Sequence, residues 1–158
     1  MISFTIMKME IQPEAVFGKA ISIRAPLQVV WAMLTQPALM KKWMSETAID
    51  IETDWVLGHT ITIRGQLYKK PFRNTGRVIA FVPMQQLQYS HLSSLSRLPD
   101  EPQSYTTFSF TLSANGSGET LLGFTAANFP TSTIYSHLAF YWNVALELLK
   151  QQAENISI

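Results

Sequence analysis

Three histidines, eleven carboxylates and a set of aromatic residues are the groups in this 158-residue chain whose types and spacing could do chemistry. A zinc site needs about four ligands brought together, and no pair among His59, His91 and His137 has ligand spacing, so neither a metal nor a cofactor is expected. His91 shares the parity of Leu87 and Tyr89 and points inward. There a neutral imidazole could orient a polar ligand group, or be a core histidine satisfied by backbone. Cysteine is absent, which removes thiol nucleophiles and thiolate metal sites. No Gly-x-Ser-x-Gly elbow occurs for a serine nucleophile. The carboxylates fall mostly at turns or on outward parities, as at Asp54, Asp100, Glu101 and Glu119, where solvation explains them. The glycines of 115–118 join two strands and open no helix, so they form a turn and not a phosphate cradle.

An inward apolar set is left: Trp43, Trp55, Tyr89, Phe108, Phe110, Phe124, Leu138, Tyr141 and Trp142. Pockets for small molecules combine such linings with a few polar groups that fix orientation, and Tyr89, His91 and Tyr141 would supply them. For any one of these aromatics the competing reading is a filled core.

Composition limits the partners. Twelve Lys+Arg against eleven Asp+Glu give a net charge of +1, and like charges do not cluster, so nucleic acid is not an expected partner. No run of some eighteen apolar residues occurs, so membrane insertion is not expected, and the N-terminus lacks the layout of a secretory signal. Together with the lack of cysteine, this gives a soluble cytoplasmic protein as the expectation.

The elements that must position these residues follow from periodicity. A strand over 14–24, with Phe17, Ile21 and Ile23 on one parity, ends at Ala25-Pro26. Two short helices follow, the first marked by Leu27, Val30, Trp31 and Leu34, and the second, over 37–43, by Leu39, Met40 and Trp43. From 47 the period becomes alternating. Strands are predicted over 47–52, 59–68, 77–81, 86–92, 105–112 and 120–126. Pro71 and Asn74-Thr75-Gly76 punctuate one connection, and 93–103 is the longest loop. The last helix, over 131–152 and capped by Thr131, carries Ile134, Leu138, Tyr141, Trp142, Ala145, Leu148 and Leu149 on one face. Strands in a run with helices outside them define an α+β chain. Residues 14–158 read as one domain of this kind. Residues 1–13 read as an extension, in which Ile2, Phe4 and Ile6 could add an edge strand or a subunit contact; the oligomeric state is not readable.

In the motif Ile23-Arg-Ala-Pro26, Val30-Trp31, Leu34-Thr35-Gln-Pro37 and Leu39 with Lys42-Trp43, the chain resembles the START-like helix-grip superfamily (SRPBCC), nearest its heat-shock-protein-90 ATPase activator-like branch. The likeness continues through Gly58, Leu87-x-Tyr89-x-His91, Thr106-x-Phe108-x-Phe110-x-Leu112, Thr120-x-Leu122-x-Phe124 and Trp142. It implies a curved antiparallel sheet of about six to seven strands gripping the C-terminal helix around an apolar cavity. His91 stands where family members often carry Trp, and Ala126 where they often carry His. The function implied is binding of a small hydrophobic or lipid-like ligand, with a link to stress. The alternatives are a protein-interaction module acting on a chaperone, or an enzyme of cyclase or aromatase type using His91 or Tyr89 as a proton shuttle.

Overall fold

The computed structural model describes residues 15–156. The extension over 1–13, with Ile2, Phe4 and Ile6, lies outside the described residues. Seven strands, β1 (Val16–Ile23), β2 (Ile49–Thr53), β3 (Thr60–Leu67), β4 (Lys70–Val82), β5 (Gln86–Ser93), β6 (Thr106–Ala114) and β7 (Thr120–Ala127), form one antiparallel sheet in the order β1-β7-β6-β5-β4-β3-β2. Two short helices, α1 (Leu27–Thr35) and α2 (Pro37–Met44), follow β1, and a long one, α3 (Ser132–Glu154), closes the chain. The sheet curves around α3, which is the expected α+β helix-grip arrangement.

Local chemistry sets the helix boundaries. Pro26, with φ −71° and ψ 162°, is the extended residue before α1, so the helix begins one residue later than the proline itself. Pro37 opens α2, where its missing N–H costs nothing. α2 buries Met40, Trp43 and Met44 and leaves Lys41 and Lys42 in water. Thr131 caps α3 by accepting the Ile134 N–H at 3.1 Å. Leu138, Trp142, Ala145, Leu146 and Leu149 form the buried face of α3, pressed onto the alternate residues of β5 to β7.

The region between β3 and β5 departs from the sequence reading. Asn74-Thr75-Gly76 and Pro71 do not form a connection; they lie inside β4, which runs thirteen residues. The reversal occurs earlier, at Tyr68-Lys69, where both residues have positive φ (51° and 69°) between the paired Leu67 and Lys70. Two positive φ values in a two-residue loop define the turn that matches strand twist. That turn is usually written Asn-Gly, so Tyr-Lys gives no sequence signal. Gly76 serves close approach instead: a Cβ there would lie 1.6 Å from the Ser90 carbonyl oxygen, beside the register shift between Val78 and Ala80. Pro71 is tolerated because it lies beyond the last β5 partner, Ser93, which pairs with Asn74.

Burial does not follow parity at two positions of β3. Leu67 shares the parity of the buried Ile61 and Ile63 but is 46% exposed at the end of the strand. Thr62 lies on the opposite face and is only 4% exposed. Thr62 and Leu92 lie beside the segment 94–105 on the outer face.

Candidate functional site

The inner face of the sheet meets α3 through rings. Trp142 stacks on Phe124 with centroids 4.5 Å apart, and meets Phe108 at 5.0 Å and Phe110 at 5.6 Å edge-on. Trp43 approaches it from α2 at 6.1 Å, with its Nε1 donating to the Met33 carbonyl at 2.8 Å. Tyr89 stands edge-on to Phe108 at 5.7 Å. All six are buried, and Leu138 joins them. They are brought together because β5, β6 and β7 are neighbours in register, with Tyr89 opposite Phe108 and Phe110 opposite Phe124.

The remaining three candidates form a half-buried rim. Trp55 has a left-handed backbone (φ 57°) and is held by its Nε1 donating to the Thr35 carbonyl at 2.7 Å. Its ring stacks on Phe81 at 5.7 Å. A bulky residue with positive φ is strained, and such strain concentrates at functional sites. Tyr141 turns from the sheet toward α2: its hydroxyl donates to the Met44 carbonyl at 2.7 Å, and its ring meets Trp142 at 5.1 Å. His91 lies 5.0 Å from Phe108.

Burial sets the protonation of these groups. It holds the His91 imidazole down to about 4, with the nearby His137 adding to the shift, so His91 is neutral at neutral pH. It pushes the Tyr89 phenol above its ordinary value, helped by Tyr141, and does the same to Tyr141 itself. Tyr89 and Tyr141 are therefore neutral hydrogen-bonding groups.

Two buried polar atoms among the described residues have no hydrogen-bond partner: the Trp142 Nε1 and the Asn74 Oδ1. Asn74 belongs to the inner parity of β4, with Phe72, and was missed because Asn-Thr-Gly reads as a turn. Phe81 was missed because the register shift in β4 moves it to the parity opposite that expected from Val78. His137, near His91, carried no signal, since the helix and strand that bring the two together are far apart in sequence. No group of three or more His, Cys, Asp or Glu among the described residues is placed to hold a metal. No helix among them is long and apolar enough to cross a membrane.

A curved antiparallel sheet closed on one long helix, with a neutral, ring-lined interior, is the helix-grip architecture. The chain belongs to the family of Activator of Hsp90 ATPase homolog 1-like proteins, whose model matches residues 24–154. It is 30% identical to a Cytophaga hutchinsonii protein whose solution structure gives a TM-score of 0.76, with 92% of this chain and 97% of that one covered. A Chromobacterium violaceum protein also reaches 0.76 at 17% identity, with coverage of 89% and 98%. The Aha1 dimer from Colwellia psychrerythraea, solved in solution, gives 0.68 at 24% identity, with coverage of 89% and 97%. These last two likenesses concern the fold alone. A comparison with curated proteins gives no match.

Proposed function

We propose that this chain binds a small, largely apolar, uncharged molecule between the inner face of the sheet and the first half of α3. The observation that carries the reading is the Trp142 indole N–H, 99% buried by its residue's 1% exposure and without an acceptor. A buried donor left unpaired costs about 1–3 kcal/mol, and a ligand oxygen would relieve it. The inward positions of β5, β6 and β7 carry no charged side chain, which favours a neutral ligand. Apolar burial would supply affinity at about 25 cal/mol per Å², with the rim residues Trp55, His91 and Tyr141 moving to admit it.

The test uses 2-naphthol, a flat neutral probe with one oxygen. In the full-length, ¹⁵N-labelled protein the Trp142 indole cross-peak should shift saturably, and Trp142→Phe, which keeps a ring but removes the donor, should weaken binding by about tenfold, the equivalent of one charge-neutral hydrogen bond at the upper end of its range. An unmoved indole signal at saturation would overturn the reading.

The family description favours a second reading, an interaction with a chaperone ATPase. Purified Hsp90 should then hydrolyse ATP faster when this chain is added. An unchanged rate at excess chain would remove it.

A further inference from the structure

The geometry points to a second binding site, for a neutral oligosaccharide, on the outer face of the sheet. An open groove of about 1200 Å³ lies there, floored by β3, β4 and β5 and walled by the segment 94–105. The wall is built by its own bonds. Ser93 Oγ accepts the Leu95 N–H at 3.2 Å, Ser96 Oγ donates to the Ser93 carbonyl at 2.7 Å, and Tyr105 donates to Asp100 Oδ1 at 2.6 Å. Ser94 Oγ ties the wall to the floor by accepting the Arg73 N–H at 2.9 Å.

The lining excludes several ligand classes. Thr75, Ser90 and Thr107 set hydroxyl-bearing residues on the floor and its flank beside Leu92, Leu98, Pro102 and Phe129, so the lining mixes polar and apolar groups as the edge and face of a sugar ring do. The floor is a sheet face whose backbone groups are spent in the ladders pairing Thr62 with Thr75 and Thr75 with Leu92. A peptide therefore cannot be held there by strand addition. An anion would meet Glu52, Asp100 and Glu101 as well as Arg73 and Arg77. A cation would meet the two arginines, neither of which forms an ion pair among the described residues.

A sugar hydroxyl both donates and accepts, so it is satisfied by donors and acceptors set side by side. Here the guanidinium forks and the Asn128 amide, one N–H of which goes to the Thr107 hydroxyl at 3.1 Å, supply donors, the carboxylates and the Thr75 hydroxyl supply acceptors, and Tyr105 lies among them. Arg77 spends one N–H on the Gly58 carbonyl at 2.9 Å, which fixes its fork at the groove wall. The volume exceeds the ~300–1000 Å³ usual for a compact small-molecule pocket, which suits more than one sugar ring.

The ¹⁵N-labelled full chain would be titrated with maltotriose, cellotriose and chitotriose, with citrate as an anionic control. At least one trisaccharide should shift the amides of Thr62, Thr75, Ser90 and Tyr105 saturably, while the Trp142 indole signal stays in place. Arg73→Ala, at an exposed residue without an ion pair, and Asn128→Gly, which keeps the left-handed turn at φ 63°, should each weaken that binding by about tenfold, the loss of one charged or bidentate hydrogen bond. The proposal is overturned if none of the three trisaccharides moves these amides, if only citrate does, or if both folded variants bind as tightly as the parent.

Discussion

Along β5, consecutive residues belong to two different environments. Leu87, Tyr89 and His91 face α3 and join a ring-packed interior, whereas Gln88, Ser90 and Leu92 face outward, the last two into a groove of hydroxyls and charges. The inner face is neutral because burial suppresses charge, as the depressed His91 imidazole illustrates. The outer face keeps Arg73, Arg77, Glu52 and Asp100 because an open groove leaves them hydrated. The difference teaches that one strand, by alternation alone, can serve two chemistries. Mutation should separate them: inner residues are expected to hold the fold, and exposed outer residues such as Arg73 to change at little cost to it.

The contrast would be sharpened most by Trp142→Ala. It removes the ring that touches Phe108, Phe110 and Phe124, and should cost about 3–5 kcal/mol of stability in chemical denaturation. A loss under 1 kcal/mol would mean that α3 does not grip the sheet as described. Gly76→Ala comes next. Its Cβ has no room beside the Ser90 carbonyl, and the strain of separating β4 from β5 should cost on the order of 1–3 kcal/mol. A neutral result would show that the bulge absorbs the methyl.

The third effect depends on pH. His91 has its folded value lowered from 6.5 to about 4, so the unfolded chain binds more protons between those values. Stability is then fully present above about pH 6.5 and is lost as pH falls toward 4. A loss of roughly 1–2 kcal/mol between pH 7 and pH 5 follows from the linkage. His91→Gln should flatten that slope in denaturation series at the two pH values; a persisting slope would assign it to another group, His137 foremost. Smallest of all, Arg73→Ala on the outer face should change stability by no more than about 0.5 kcal/mol. A larger loss would make the groove part of the scaffold and erase the contrast.

Much of the fold was legible because the signals were local. Alternation marked six of the seven strands within a few residues, Pro37 and Thr131 marked helix starts, and Asn115-Gly116 marked a hairpin whose Gly116 and Gly118 have positive φ. The β3–β4 reversal was not legible: Tyr68-Lys69 adopts a turn that its residue types do not announce, so Asn74-Thr75-Gly76 took its place. The candidate site was legible as a list of inward aromatics but not as an arrangement. Which of them are sealed, as Phe110 and Trp142 are, and which form a rim, as Trp55 and Tyr141 do, depends on where α2 and the turn after β2 come to rest. Asn74 and the His91–His137 proximity were invisible for the same reason.

By itself, then, the sequence determined the order of elements, the faces of strands and helix, and the neutral, aromatic character of the interior, since each depends on spacing within one element. The tertiary structure alone decided that Gly76 lies against Ser90, that Trp142 keeps an unpaired N–H among rings, and that 94–105 walls the outer groove. Those facts are distances between residues far apart in the chain, fixed only when strands pair and α3 packs, and periodicity carries no record of them.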